Sequence, residues 1–471
     1  MSTTSPQLDR PPQPAAAPEA GEERPDRRGR AWTLAATTLG FAVVQLDVSV
    51  VNVAIKPIGA ALGGGVSSLQ WAVSAYTVAF AALILSAGAL GDRVGAKRVF
   101  IAGFALFTAA SAACGLAPSL PVLIAARAVQ GTGAAVLVPC SLTLLNHSYP
   151  EASERARAVG LWAAGASAAL AGGPLVGGVL IATLGWRAIF FINAPIGVAG
   201  ILLTVRWATE TSRSRDRGVD AWGQLAAIVA LVALAGATIE RGAHGFTSSE
   251  VLAGYALAVA AGAAFLVLEA RGERPMLPLG LFRSGTFSAT SAIGLLVNIA
   301  FYGLIFVFSL FFQRAQHLSA LQTGLAFAPM TAAVMAANVL AGRLTGALGP
   351  RQVIAIGAGL MAAGAAALLG ASVNNSYPAL VAQLVAVGFG LGLIVPVMTS
   401  SLLGSVERSR SGVASGTLNT ARQAGSVIGV ALYGSLIAGG IVSGLHLALA
   451  ISVGLAIAVA ALTLAVTKEA A

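Results

Sequence analysis

The chain has 471 residues, of which 57% are hydrophobic and only 10% charged, and its mean hydropathy is +0.83. Soluble domains carry about a quarter of their residues as charges, so a water-soluble globular protein is excluded. The formal net charge of +10 is spread over the turns between apolar runs, which points to membrane topology and not to a nucleic-acid partner.

Residues 1–30 mix Pro6, Pro11, Pro12, Pro14, Pro18 and Pro25 with Arg, Glu and Ala. Such a composition buries no core, so a disordered tail is expected. No apolar h-region precedes Ala31, which argues against a cleavable signal peptide. Beyond it, apolar runs able to cross ~30 Å of hydrocarbon recur near 32–56, 67–90, 98–117, 121–143, 156–183 and 187–206. Two more follow near 221–239 and 251–270, then six near 287–312, 320–345, 352–371, 377–402, 411–438 and 443–466. The plan is therefore fourteen spans arranged six, two and six. Its units are a tail at 1–30, a first bundle at 31–207, a linker with two extra helices at 208–285, a second bundle at 286–467 and a tail at 468–471.

The basic residues test this count. With the amino terminus inside, 22 of the 28 Lys and Arg residues fall on the inner side and four (Lys56, Arg187, Arg241 and Arg314) on the outer side. Arg127 and Arg422 lie within spans. Dropping one span would invert every later turn and spoil the positive-inside bias, so both termini are expected to be cytoplasmic. Trp32, Trp71, Trp186, Trp207 and Trp222 sit at segment ends, as an aromatic belt places them.

The densest charge between two spans is in GALGDRVGAKRVF, Gly88 to Phe100. An echo, AGRLTGALGPRQV (Ala341 to Val353), follows the tenth span without the acid. The two halves are thus related but not equivalent. Cys114 and Cys140 fall in apolar segments and read as packing residues. The four histidines have no metal spacing, and no nucleophile or phosphate loop appears, so no cofactor is expected.

Two charges lie well inside the first six spans. Asp47 is ~22 Å up the first and Arg127 ~9 Å into the fourth from the other side, which puts them at similar depth. Intramembrane ionisable groups are costly to bury and point to function, although a structural ion pair locking two helices is the alternative. Helical phase puts Gln45, Ser49 and Asn52 on one face of the first span and Asp47 on the opposite one. One set lines a cavity and the other meets a neighbouring helix; phase alone does not say which. Arg127, Gln130, Gly131 and Ala134 share a face of the fourth span. In the fifth, Gly165, Ala169, Gly173 and Gly177 form a small-residue stripe for close packing, with Pro174 and Gly178 beside it. Trp162 lies deeper in that span. Candidate cavity residues in the second half are Asn298, Phe301 and Tyr302 of the ninth span, and Arg422 and Gln423 of the thirteenth.

These residues closely resemble the major facilitator superfamily, in particular its fourteen-helix drug:proton antiporter branch, over residues 32–467. Gly88, Asp92, Arg93, Gly95, Lys97 and Arg98 match the superfamily's loop between its second and third helices. The resemblance implies that this loop is a cytoplasmic gate, with Asp92 helping to hold the outward-open state. LDVSVVNVAIKP (Leu46 to Pro57) is similar to the first-helix motif of the branch, with Lys56 at a usual proline, and implies Asp47 as proton carrier. RAVQGTGAA (Arg127 to Ala135) resembles the fourth-helix motif whose arginine serves proton transfer. The stretch containing Gly165, Gly173, Pro174, Gly177 and Gly178 resembles the antiporter motif, with Ala169 at a usual glycine. GWRAIFFINAPIG (Gly185 to Gly197) is likewise similar to this branch.

The expectation is an all-α polytopic membrane protein with the major facilitator fold: two six-helix bundles plus two extra helices. It would be monomeric in a bacterial inner membrane and export small lipophilic or cationic organic compounds against inward proton flow. Its partners would be lipid, protons and a small organic substrate. A facilitator or proton symporter importing a metabolite is the nearest alternative, and a non-transporting receptor the more distant one.

Overall fold

The structure, a computed structural model, describes residues 27–211, 220–272, 276–277, 279–372, 377–407 and 411–466. Fourteen long helices occupy them. In the first half these are α1 (Arg27–Leu62), α2 (Val66–Val94), α3 (Ala96–Leu116), α4 (Leu120–Ser148), α5 (Ala152–Leu184) and α6 (Ala188–Trp207). The middle pair is α7 (Ala221–His244) and α8 (Ser249–Arg271). The second half holds α9 (Gly285–Leu310), α10 (Ala320–Leu348), α11 (Pro350–Ala367), α12 (Pro378–Gly404), α13 (Ser411–Leu436) and α14 (Ile441–Val466). Thirteen of the fourteen are apolar enough by composition to cross a membrane; α13, with Asn419, Arg422 and Gln423 in its middle, is the exception.

Most spans are longer than hydropathy suggests. The 36 residues of α1 extend ~54 Å, well beyond a bilayer core. Residues 27–30 therefore belong to a helix and not to the expected tail. Arg30 holds that extension through a 2.8 Å ion pair with Glu154 at the start of α5. The rest of the expected tail, the final tail at 468–471, and Arg213, Arg215, Arg217, Arg274, Arg408 and Arg410 lie outside the described residues.

Local chemistry sets the breaks. The α2–α3 turn needs Gly95 at φ +111, and its echo between α10 and α11 needs Gly349 at φ +83, a region that side chains disfavour. Each glycine N–H closes the preceding helix, Gly95 onto Gly91 O and Gly349 onto Thr345 O, both at 2.9 Å. Asp220, Ser248 and Ser284 cap α7, α8 and α9 by accepting from backbone N–H groups. Ser319 and Gln322 form a reciprocal capping box on α10, satisfying donors that the helix leaves open.

The two halves repeat one packing scheme. In the first, α1 packs on α5 and α6, α4 on α2 and α3, and α3 on α6. In the second, α9 packs on α13 and α14, α12 on α10 and α11, and α11 on α14. The halves meet along two crossings related in the same way, α5 with α10 and α2 with α13. The middle pair packs together, and α7 lies along the second crossing, touching both α2 and α13. Gln224 of α7 donates to Ala82 O at 2.7 Å and accepts from Ser86, while a Cβ on Gly242 would lie 3.0 Å from the Ser435 backbone. Thus α7 bridges both halves.

Candidate functional site

Helix α1 presents two opposed polar faces, and the structure resolves which does what. Asp47, fully buried, points into the first bundle. Arg127 of α4, 1% exposed, pairs with it. Gln130 Nε2 donates to Asp47 Oδ1 at 2.8 Å, and Asn193 Nδ2 of α6 donates to the same oxygen at 3.0 Å. Arg127 also donates to Gln130 Oε1 at 2.7 Å and, through Nε, to Ala72 O at 3.2 Å. Its guanidinium lies 4.3 Å from the centre of the Tyr76 ring. The carboxylate is thus held by three donors and its counter-ion by two further acceptors and an aromatic face. That is the satisfaction a buried pair requires.

Asn193 and Tyr76 escape a reading of charge alone. Asn193 sits just after Ile192, where α6 is interrupted between Ala188–Phe191 and Asn193–Trp207. A lone amide at a break in an otherwise apolar span is the signal that identifies it. Asn193 also donates to Ser111 Oγ of α3 at 3.0 Å, so the network ties α1, α3, α4 and α6 together.

The other face of α1 looks toward the second half. Gln45 faces Tyr302 of α9, and the Asn52 carbonyl accepts from Ser309. Farther along, Gln313 Nε2 donates to Val53 O at 3.1 Å, and Lys56 Nζ donates to Gln313 O at 2.6 Å. Gln70 at the start of α2 donates to both Val430 O and Ala431 O of α13 at 3.1 Å. At the end of the molecule carrying the α1–α2 turn, the halves are therefore clamped shut.

Ser49 shares that face but meets α5. A side chain at Gly173 would strike Ser49, one at Gly177 would sit 2.6 Å from the Val50 side chain, and one at Gly165 would meet Thr38. The small-residue stripe is the α1 contact surface of α5. Gly178 instead faces α10, where a Cβ would lie 2.9 Å from Ala320 O and Leu321 Cα. Gly324 of α10 reciprocates by lying against Pro174 O. Helix α5 runs unbroken through Pro174.

At the opposite end, the α2–α3 turn is tied to the end of α6. Gly88 and Gly91 pack on Pro139 and Cys140 of α4. Ala96 N donates to Thr211 Oγ1 and Lys97 N to Glu210 Oε1, both at 2.9 Å. Lys97 Nζ reaches Val205 O at 3.1 Å, and Arg98 lies 3.6 Å from Glu210. Asp92 is half-buried and Arg93 exposed. Glu210, which motif reading passes over, thus caps α3 and meets the charges of the turn together. Glu210→Ala is expected to cost about 1–2 kcal/mol, as loss of a helix cap does, measured as a lower melting temperature in detergent. Glu210→Gln, which keeps an acceptor oxygen, should lose less; equal melting of all three proteins would refute the cap.

Trp162 is buried, donates to Ser141 Oγ at 3.1 Å and stacks on Phe41 at 4.3 Å. In the second half, Asn298 folds its amide back onto Gly294 O at 2.7 Å, and Phe301 and Tyr302 stack edge to face at 5.4 Å. Arg422 and Gln423 are half-buried on α13. The structure brings Gln45, Tyr302 and Arg422 into one neighbourhood, whereas Trp162 belongs to the α1–α4–α5 contact.

The chain has counterparts among known proteins. The sequence profile of the Major Facilitator Superfamily matches residues 37–430 and, a second time, 290–470. The chain belongs to the Major Facilitator Superfamily. It is a multi-pass membrane transporter of that superfamily and not an enzyme. The methylenomycin A resistance protein of Streptomyces coelicolor is 39% identical over 407 residues, covering 86% of this chain and 85% of that protein. The multidrug resistance protein Stp of Mycobacterium tuberculosis is 38% identical over 411 residues, covering 87% and 76%. The fold is similar to a crystal structure of a bacterial homologue of the human lysosomal transporter Spinster, inward-facing and unoccupied. The TM-score is 0.65 at 15% identity, over 94% of this chain and 98% of that one.

Proposed function

We propose that this chain is a proton-driven exporter of small lipophilic organic compounds, drugs or antibiotics among them, working by alternating access. The observation that carries the reading is the double role of α1. One face holds Asp47 in the buried network with Arg127, Gln130 and Asn193. The other makes the seam with the second half through Gln45, Asn52, Val53 and Lys56. A proton on Asp47 removes the charge that Arg127 neutralises. The contacts of α1 with α4 and α6 weaken, and the helix transmits that change to a seam that runs from two residues before Asp47 to nine residues after it. The halves then rock about the α5–α10 and α2–α13 crossings. Proton loss to the other side restores the pair and returns the carrier.

In this reading both termini are cytoplasmic, the clamped end faces outward and the α2–α3 turn, with Asp92, is the inner gate. Residues 31–207 and 286–467 are the moving bundles, 208–285 carry the bridging pair, and the protein acts as a monomer. The names of two relatives, for resistance to methylenomycin A and to multiple drugs, support export over import. The test is proton movement in sealed proteoliposomes containing a pH-sensitive dye. A panel of antibiotics and organic dyes should trigger proton counter-flow for some members. Accumulation of a metabolite together with protons, and no counter-flow, would replace the exporter with a symporter.

A further inference from the structure

We infer that the translocation site takes organic anions, and that Arg422 is the fixed counter-charge for a carboxylate or similar group on the cargo. The inference deepens the export reading, on which it rests for direction, and it begins from an inventory of charge. Between residues 286 and 466 the only acid is Glu407, in the turn between α12 and α13. The spans of the second half therefore hold no acid for a cation. In the first half Asp47 is already held by Arg127 and two amides. The cationic cargo in the sequence reading finds no counter-ion at mid-membrane.

Arg422 has the converse problem. It lies ~16 Å along α13 from Ser411, and its stem packs against α9, with Cγ 3.3 Å from where a side chain on Gly294 would begin. Its Nε is buried without a hydrogen-bond partner. The neighbour that acts on it electrostatically is Tyr302, whose proximity to Gln45 places the group on the seam between the halves. An unpaired cation inside a membrane bundle is costly, and among the described residues no side chain supplies a partner for this nitrogen. A mobile anion does. The planar guanidinium fork matches a carboxylate through two parallel hydrogen bonds, and Phe301 with Tyr302 offers an aromatic wall to an apolar body.

Two consequences follow. The site selects charge sign. Export of a monoanion against one entering proton also moves two positive charges inward per cycle, so an inside-negative potential drives transport. One proton against a monovalent cation would move none.

The experiment uses two xanthene dyes of opposite charge, fluorescein and rhodamine 123, with the purified full chain. Fluorescence polarisation reads binding, and proteoliposomes with a valinomycin-set potassium potential read transport. Fluorescein is expected to bind. Arg422→Gln should weaken that binding tenfold or more, Arg422→Lys less, and Arg343→Gln, which removes an exposed base, not at all. An inside-negative potential should accelerate fluorescein export. No fluorescein binding to the unmodified chain, or equal binding to Arg422→Gln, overturns the inference. Rhodamine 123 exchanging for protons regardless of Arg422 also overturns it and leaves the antiporter standing. Arg422-dependent fluorescein binding with flux that moves no protons leaves the anion site standing and removes the antiporter.

Discussion

Asp47→Asn is expected to abolish proton-coupled transport, with substrate-triggered proton movement in proteoliposomes falling to the level of empty vesicles. The substitution is nearly isosteric, so Gln130 and Asn193 keep an oxygen to donate to. What changes is charge. Arg127 is left at 1% exposure without its counter-ion, and breaking a buried pair from one side costs about 3–5 kcal/mol. Part of that cost is offset because Arg127 retains Gln130 Oε1, Ala72 O and the Tyr76 ring. The variant should therefore fold with a lowered melting temperature. Adding Arg127→Gln should restore thermal stability by removing the orphaned charge, yet leave proton movement at zero. Stability and coupling then separate: a purely structural ion pair would recover both in the double variant. Undiminished proton counter-flow in Asp47→Asn would take the proton site away from α1 altogether.

The second large effect is expected at the α5–α10 crossing. Gly324 lies against Pro174 O, and Gly178 against the Ala320 and Leu321 backbone, so two helices of different halves touch backbone to backbone. Even the methyl group of Gly324→Ala meets main chain that has no rotamer to yield. Overpacking of this kind costs about 1–3 kcal/mol, here paid only by the conformer in which this end is shut. A ~1.4 kcal/mol penalty is tenfold in population, so the variant should favour the opposite conformer about tenfold or more. The measurement is labelling of Leu321→Cys by a membrane-impermeant thiol reagent, against a quiet background because Cys114 and Cys140 are buried. Labelling should rise in the Gly324→Ala background while efflux falls. Unchanged labelling would mean that the contact is not part of the gate.

How much of the site was legible depends on the range of the interaction. Asp47 and Arg127 stand out because charge in an apolar span is visible one residue at a time. Two of their companions, Asn193 and Tyr76, belong to helices α6 and α2, and nothing local says that those helices border α1 and α4. Phase separated Gln45, Ser49 and Asn52 from Asp47, since that needs only the helical repeat. It was silent on which face met the other half. The glycine stripe of α5 announced a close contact without naming α1 for Gly173 and α10 for Gly178. Glu210 lay outside every motif, and its role exists only because the end of α6 comes back to the start of α3.

The sequence by itself determined that this chain crosses a membrane many times, where its turns fall, and that its halves are related. Hydropathy, capping chemistry and the positive φ of Gly95 and Gly349 are properties of a few neighbouring residues. Tertiary structure alone decided that Asp47 is enclosed in one bundle, that α7 bridges both halves, that the α1–α2 end is clamped, and that the buried Nε of Arg422 has no partner among the described residues. Each of these depends on which of fourteen helices lie side by side. In an apolar medium that choice is made by shape and by a few polar contacts between segments distant in the chain, which no local pattern encodes.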